Sequence, residues 1–128
     1  MKILGIDYGS KRIGIAMTDE SGFFALPYDM FINNTNVIGT IVVLCKKNDI
    51  QKIIIGRSVN YKMKENPIMV DIKKFADRLK REVTAQILFE DESLTTQEAS
   101  RIQGDIKKID ASAAALILKS YIDKQENR

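Results

Sequence analysis

Apolar and polar positions alternate from the start of the chain. Between Lys2 and Asp19, two apolar runs, Ile3-Leu4-Gly5-Ile6 and Ile13-Gly14-Ile15-Ala16-Met17, flank a Gly9-Ser10-Lys11 turn. Period-two runs joined by turn residues predict a β-hairpin, and this one has Asp7 at the mouth of its first strand. Phe23 to Ile32 reads as a third strand, and Pro27 within it argues for the sheet edge. Asn33 to Asn36 is turn chemistry. It leads into Val37, Ile38, Ile41, Val42, Leu44 and Cys45 at helical spacing, closed by Lys46 to Asp49. Lys52 to Gly56 (KIIIG) is a continuous β-branched run, as expected of a strand buried on both faces. The pattern has changed from hairpin to β-α-β.

Arg57 to Asn66 is the longest polar connection, with Arg57, Lys62 and Lys64 around Tyr61. A cationic loop with a stackable ring suits single-stranded nucleic acid, and a plain solvated loop is the competing reading. Pro67 stands at a first helical position, ahead of Ile68, Ile72, Phe75, Leu79 and Val83. Lys73, Lys74, Arg78, Lys80 and Arg81 fall on the wet face. Ala85 to Phe89 gives a fifth strand ending in Glu90-Asp91-Glu92. Thr95 to Glu98 has the form of a capping box for a short helix reaching about Ile102. A last helix opens at Asp110, with Ala111, Ala114, Ala115, Leu118, Tyr121 and Ile122 as its main stripe, widened by Ala113 and Ile117, and a frayed polar tail from about Lys124.

Composition narrows the chemistry. Residues 1–128 are expected to form one domain with a proper core. The net charge of +3 and pI near 9.0 permit a polyanionic partner without requiring one. With no histidine and one cysteine, the usual zinc sites and the Ser-His and Cys-His nucleophile pairs are excluded. Carboxylates and an oxygen-loving ion remain as tools. Cys45 is expected in the core. No apolar run approaches the roughly 18 residues of a membrane span, so a cytoplasmic protein with no membrane partner is expected.

Three acidic positions stand at the ends of predicted elements: Asp7, the Asp91-Glu92 pair and Asp110. An ionised carboxylate at the end of a buried strand needs a cation or several donors. Metal-dependent phosphoryl chemistry uses such a cluster to hold two ions roughly 4 Å apart. Each acid also has a structural reading: Asp7 bonding its turn, a solvated acidic turn at Glu90 to Glu92, and Asp110 as a helix N-cap.

The segments GIDYGSKRIGIAMTD, DESLTT (Asp91 to Thr96) and DASAAALIL (Asp110 to Leu118) together resemble the YqgF/RuvX family, whose members are described as pre-16S ribosomal RNA nucleases and as Holliday-junction-resolvase-like proteins. The resemblance runs nearly end to end. It implies an α/β, RNase H-like fold: a mixed five-stranded sheet, three antiparallel strands then parallel ones, flanked by helices. It also implies a two-metal Mg²⁺ or Mn²⁺ site on Asp7, Asp91, Glu92 and Asp110. By the same resemblance Asp7, Glu92 and Asp110 are expected as the catalytic set, with Glu92 favoured over Asp91 as ligand. Lys11, Arg12, Arg57, Lys62, Thr95 and Thr96 are the candidate nucleic-acid contacts. The implied substrate is the 5′ end of precursor 16S rRNA, with ribosomal particles as further partners and a monomer or weak homodimer as the working form. The chain departs from the family in having Ser93 where an Arg is usual and Arg57-Ser58 where Leu-Pro is usual, which bears on substrate grip.

Branched DNA as substrate and a non-catalytic RNA-binding module for ribosome assembly are the alternatives. An ATPase of the actin/sugar-kinase kind also begins with Asp-x-Gly after a strand. It needs a second lobe, for which the chain has no room.

Overall fold

The structure, a computed structural model, describes residues 1–60, 62–92 and 106–126, the side chains of 106–111 and 126 excepted. Its elements are β1 (Lys2–Tyr8), β2 (Arg12–Thr18), β3 (Ala25–Ile32), α1 (Val37–Lys47), β4 (Ile50–Arg57), α2 (Met69–Lys80), β5 (Gln86–Asp91) and α3 (Ile106–Glu126). The five strands form one sheet in the order β3-β2-β1-β4-β5. β1–β2 and β2–β3 are antiparallel, whereas β1–β4 and β4–β5 are parallel. The first strand is therefore the centre of the sheet.

Side-chain alternation divides the core into two layers. On one face, Leu4, Ile6, Ile13, Ile15, Ile53 and Ile55 pack with Ile41 of α1 and Ile72, Phe75 and Leu79 of α2. On the other, Ile3, Ala16 and Ile54 meet Ala114, Ile117, Leu118, Tyr121 and Ile122 of α3. Ile53, Ile54 and Ile55 are fully buried, as the KIIIG run predicts. Each such side chain contributes about 1.5–3 kcal/mol when removed from water. Gly5 lets α3 lie close to β1. A Cβ there would stand 2.9 Å from the Ala114 carbonyl oxygen and 3.0 Å from the Leu118 Cβ.

Several boundaries differ from the sequence reading. The last helix begins at Ile106, so Asp110 lies inside it and is not its N-cap. The buried stripe of α3 is Ala113, Ala114, Ile117, Leu118, Tyr121 and Ile122, all within the expected stripe, with Ala115 at its margin. The stripe is set by where Gly5 and Gly56 admit the helix. Lys124 is not in a frayed tail: its Nζ donates to Glu90 Oε2 at 2.5 Å, and Ser120 Oγ donates to the same oxygen at 3.0 Å. The short helix predicted after Thr95 lies outside the described residues. β3 is the edge strand that Pro27 predicts, and its register against β2 shifts beside that proline, Ile15 pairing with Asp29 and Ala16 with Pro27.

Candidate functional site

The carboxyl ends of β1, β4 and β5 lie side by side. Ile6 pairs with Ile55, placing Asp7 beside Gly56, and Gly56 in turn pairs with Glu90. Asp7 shares the face of Gly5, which α3 covers. Glu92, the first residue past β5, donates its N–H to the Arg57 carbonyl at 3.0 Å. Its side chain crosses over Gly56: a Cβ there would lie 3.0 and 3.1 Å from Glu92 Cγ and Cδ, and 2.6 Å from Ile117 Cδ1. Glycine at this position thus opens the space through which Glu92 reaches Asp7. A glycine ending a buried strand marks close approach, a local sequence signal for this contact beside the family resemblance.

The Asp7 and Glu92 carboxyls lie close enough for one to hydrogen-bond the other when either carries a proton. Burial raises the pKa of Glu92 above the ordinary 4.5, and the bond to Asp7 acts in the opposite sense. Two carboxyls in hydrogen-bond contact need a proton between them, since an ionised pair has acceptors only. A divalent cation can take the place of that proton and compensate both charges, so this pair fits an oxygen-coordinated ion.

The other acids are placed differently. Asp91 alternates to the opposite side of the strand end and accepts from Arg57 Nη1 at 2.8 Å. Glu90, 6% exposed, faces α3 and is held by Lys124 and Ser120. Asp110 lies one helical turn before Ala114. Ile122 packs in one cluster with Ile3 near the amino end of β1, so α3 points its amino-terminal turns toward the carboxyl end of that strand. Among the described side chains no three acids gather; that of Asp110 lies outside them.

The cations flank this end of the sheet. Lys11 is exposed in the β1–β2 turn and Arg12 is half-buried at the start of β2. Asn33 holds that turn, donating from its backbone N–H to the Lys11 carbonyl and from Nδ2 to the Gly9 carbonyl, both at 2.9 Å. Lys62 is exposed on a loop with its own order. Asn60 Oδ1 accepts the backbone N–H of Lys62 at 2.9 Å and of Lys64 at 3.1 Å, and Val59 bridges to Glu65. Arg57 is committed to carboxylates: besides Asp91, its Nε donates to Glu65 Oε2 at 3.1 Å. Its pKa is raised, by Asp91 first and Glu65 next. Tyr61, Ser93, Thr95 and Thr96 lie outside the described residues.

A central β1, an antiparallel β2–β3 ladder on one side, parallel β4 and β5 on the other and helices on both faces define an RNase H-like fold of the RuvC kind. RuvC of Thermus thermophilus, solved with a Holliday junction substrate, matches 98% of this chain over 96% of its own length at 11% identity and a TM-score of 0.66. The fowlpox virus resolvase, solved with Holliday junction DNA, matches with a TM-score of 0.60 and 12% identity over 98% of this chain and 99% of its own. The chain belongs to the RuvX family, described as "RuvX: Holliday junction resolvase", which matches residues 1–124. A protein of Syntrophus aciditrophicus named "Putative pre-16S rRNA nuclease" is 37% identical over 96% of this chain and 89% of its own length. A protein of the same name from Caldanaerobacter subterraneus is 33% identical over 99% of both chains.

Proposed function

We propose that this protein is a metal-dependent nuclease that hydrolyses phosphodiester bonds in structured RNA, with the 5′ end of precursor 16S rRNA as its substrate. The observation that carries the reading is the paired Asp7 and Glu92 carboxyls at the end of the central strand, in a chain without histidine. The names of the full-length relatives favour RNA as the polymer. Asp7 and Glu92 would hold the ion, with Asp110 on the adjoining helix as a further ligand; Asp91, turned to Arg57, is left outside this set. A bound Mg²⁺ or Mn²⁺ would supply water activation and charge stabilisation at the phosphate. The half-buried site restricts solvent around both carboxyls and favours their cation. Lys11, Arg12 and Lys62 would steer the phosphate backbone toward that end of the sheet, with Thr95 and Thr96 as further contacts. Cleavage of a ribosomal precursor would take place in the cytoplasm.

The family description favours branched DNA as the second reading. Incubation with precursor rRNA and with a four-way DNA junction, each with and without Mn²⁺, separates the two. The expected outcome is Mn²⁺-dependent cleavage of the RNA, lowered by Asp7→Asn by about 10²–10³-fold, since a metal's contribution is several kcal/mol. Cleavage of the junction alone overturns the RNA assignment. Undiminished cutting by the Asp7→Asn variant in chelator overturns the mechanism, and RNA binding without metal-dependent turnover leaves a ribosome-assembly module.

A further inference from the structure

Arg57 holds the end of β5 at two points. Its carbonyl oxygen takes the Glu92 N–H at 3.0 Å, and its Nη1 donates to Asp91 Oδ1 at 2.8 Å. Its Nε donates to Glu65 Oε2 at 3.1 Å, and Glu65 Oε1 accepts from Lys73 Nζ of α2 at 2.9 Å. A chain of charge-assisted bonds thus runs from α2 through Glu65 and Arg57 to the residue next to Glu92. Successive side chains of an extended segment point to opposite sides. Rotation of the strand end that freed Asp91 would therefore swing Glu92 off Gly56 and away from Asp7.

From this geometry we propose that Arg57 is a positioning residue: by gripping Asp91 it fixes the twist of the Asp91-Glu92 dipeptide and keeps the Glu92 carboxyl facing Asp7. The guanidinium already carries two carboxylates, so its charge is compensated where it stands and it is poorly placed to serve as a phosphate contact. Its planar fork matters more than its charge, because the bonds to Asp91 and Glu65 leave from different nitrogens. The inference rests on the metal-site reading of Asp7 and Glu92.

The test is Mn²⁺ binding to the substrate-free protein, read by electron paramagnetic resonance, beside RNA affinity measured in chelator. Arg57→Leu and Asp91→Ala are each expected to weaken Mn²⁺ binding about 10-fold, the low end for residues that orient a ligand, and to leave RNA affinity unchanged. The double variant is expected to be no worse than either single one. Arg57→Lys, with one point charge in place of a fork, should recover part of the loss. In metal-free protein, Arg57→Leu should also speed amide hydrogen exchange at Glu92. Loss of RNA affinity with Mn²⁺ binding intact would make Arg57 a phosphate contact and overturn the proposal, as would no change in either quantity. If the unaltered protein binds no Mn²⁺, the metal-site reading itself falls, and the role of Arg57 with it. If it binds and Arg57→Leu binds equally well, only Arg57 is misassigned.

Discussion

Glu92 is under two opposed influences. Burial favours its neutral form, and the hydrogen bond with Asp7 favours the charged one, with burial the larger. The folded protein therefore holds a proton there above the ordinary 4.5, at pH values where the unfolded chain has released it. In chelator, the stabilisation from that proton is fully present below pH 4.5 and is lost as pH rises through the folded-state value. Asp19 and Glu65 act in the other sense. Ser21 is the leading cause of the lowered Asp19 value, and Lys73 followed by Arg57 of the lowered Glu65 value, so their contributions are lost as pH falls. The Glu92 effect is isolated by comparison with Glu92→Gln. The melting-temperature difference between wild type and variant should shift against wild type as pH rises from 4.5, and saturating Mn²⁺ should abolish that trend. A difference that stays flat in chelator would mean that Glu92 titrates normally.

At the scale of elements, period-two and helical patterns were enough to order every described strand and helix, because each amphipathic face had one place to go. Helix ends were harder. Asp110 has the residue type of an N-cap, yet α3 continues back to Ile106. The candidate site was legible as chemistry and not as contact. Asp91 and Glu92 are adjacent and alike, and only the position of α3 and the gap at Gly56 assign them to different sides. The Arg57–Asp91 pairing joins residues 34 apart in sequence, for which no local pattern exists. Glu90 shows how α3 is fastened: its carboxylate is buried, while Lys124, its partner, is 62% exposed. Lys124→Met removes the cation and leaves Ser120 as partner. That should cost about 1–3 kcal/mol, the range for a buried polar group losing its bond. The figure stays below that of a fully buried pair because water screens the lysine. Urea denaturation reads it directly, and Glu90→Gln, which keeps an acceptor for Ser120, should cost less.

For the whole molecule, a net charge of +3 makes placement of cations matter more than their number. Lys11 and Arg12 at one turn and Lys62 in an ordered loop occupy the same end of the sheet as the carboxyl pair. Replacing all three with alanine should weaken RNA binding and flatten the slope of log K against log salt by about 2, since each phosphate of a single strand that a cation neutralises adds about 0.7 to that slope. An unchanged slope would put the RNA on another face. At the far edge, β3 exposes Leu26, Tyr28 and Ile32, but Pro27 lacks an N–H and Asp29 Oδ1 accepts the Met30 N–H at 2.7 Å. Both features discourage strand addition along that edge.

The central position of β1 also governs timing. As the polypeptide leaves the ribosome, Asp7 emerges early within a hairpin whose contacts are local, whereas the glutamate that must face it belongs to the end of β5 and follows only after β4 has docked in parallel. A half-synthesised chain thus holds one carboxylate with nothing opposite it. Under the proposed function, the carboxyl pair would be incomplete, and the chain harmless to RNA, until the residues through Glu92 have been made.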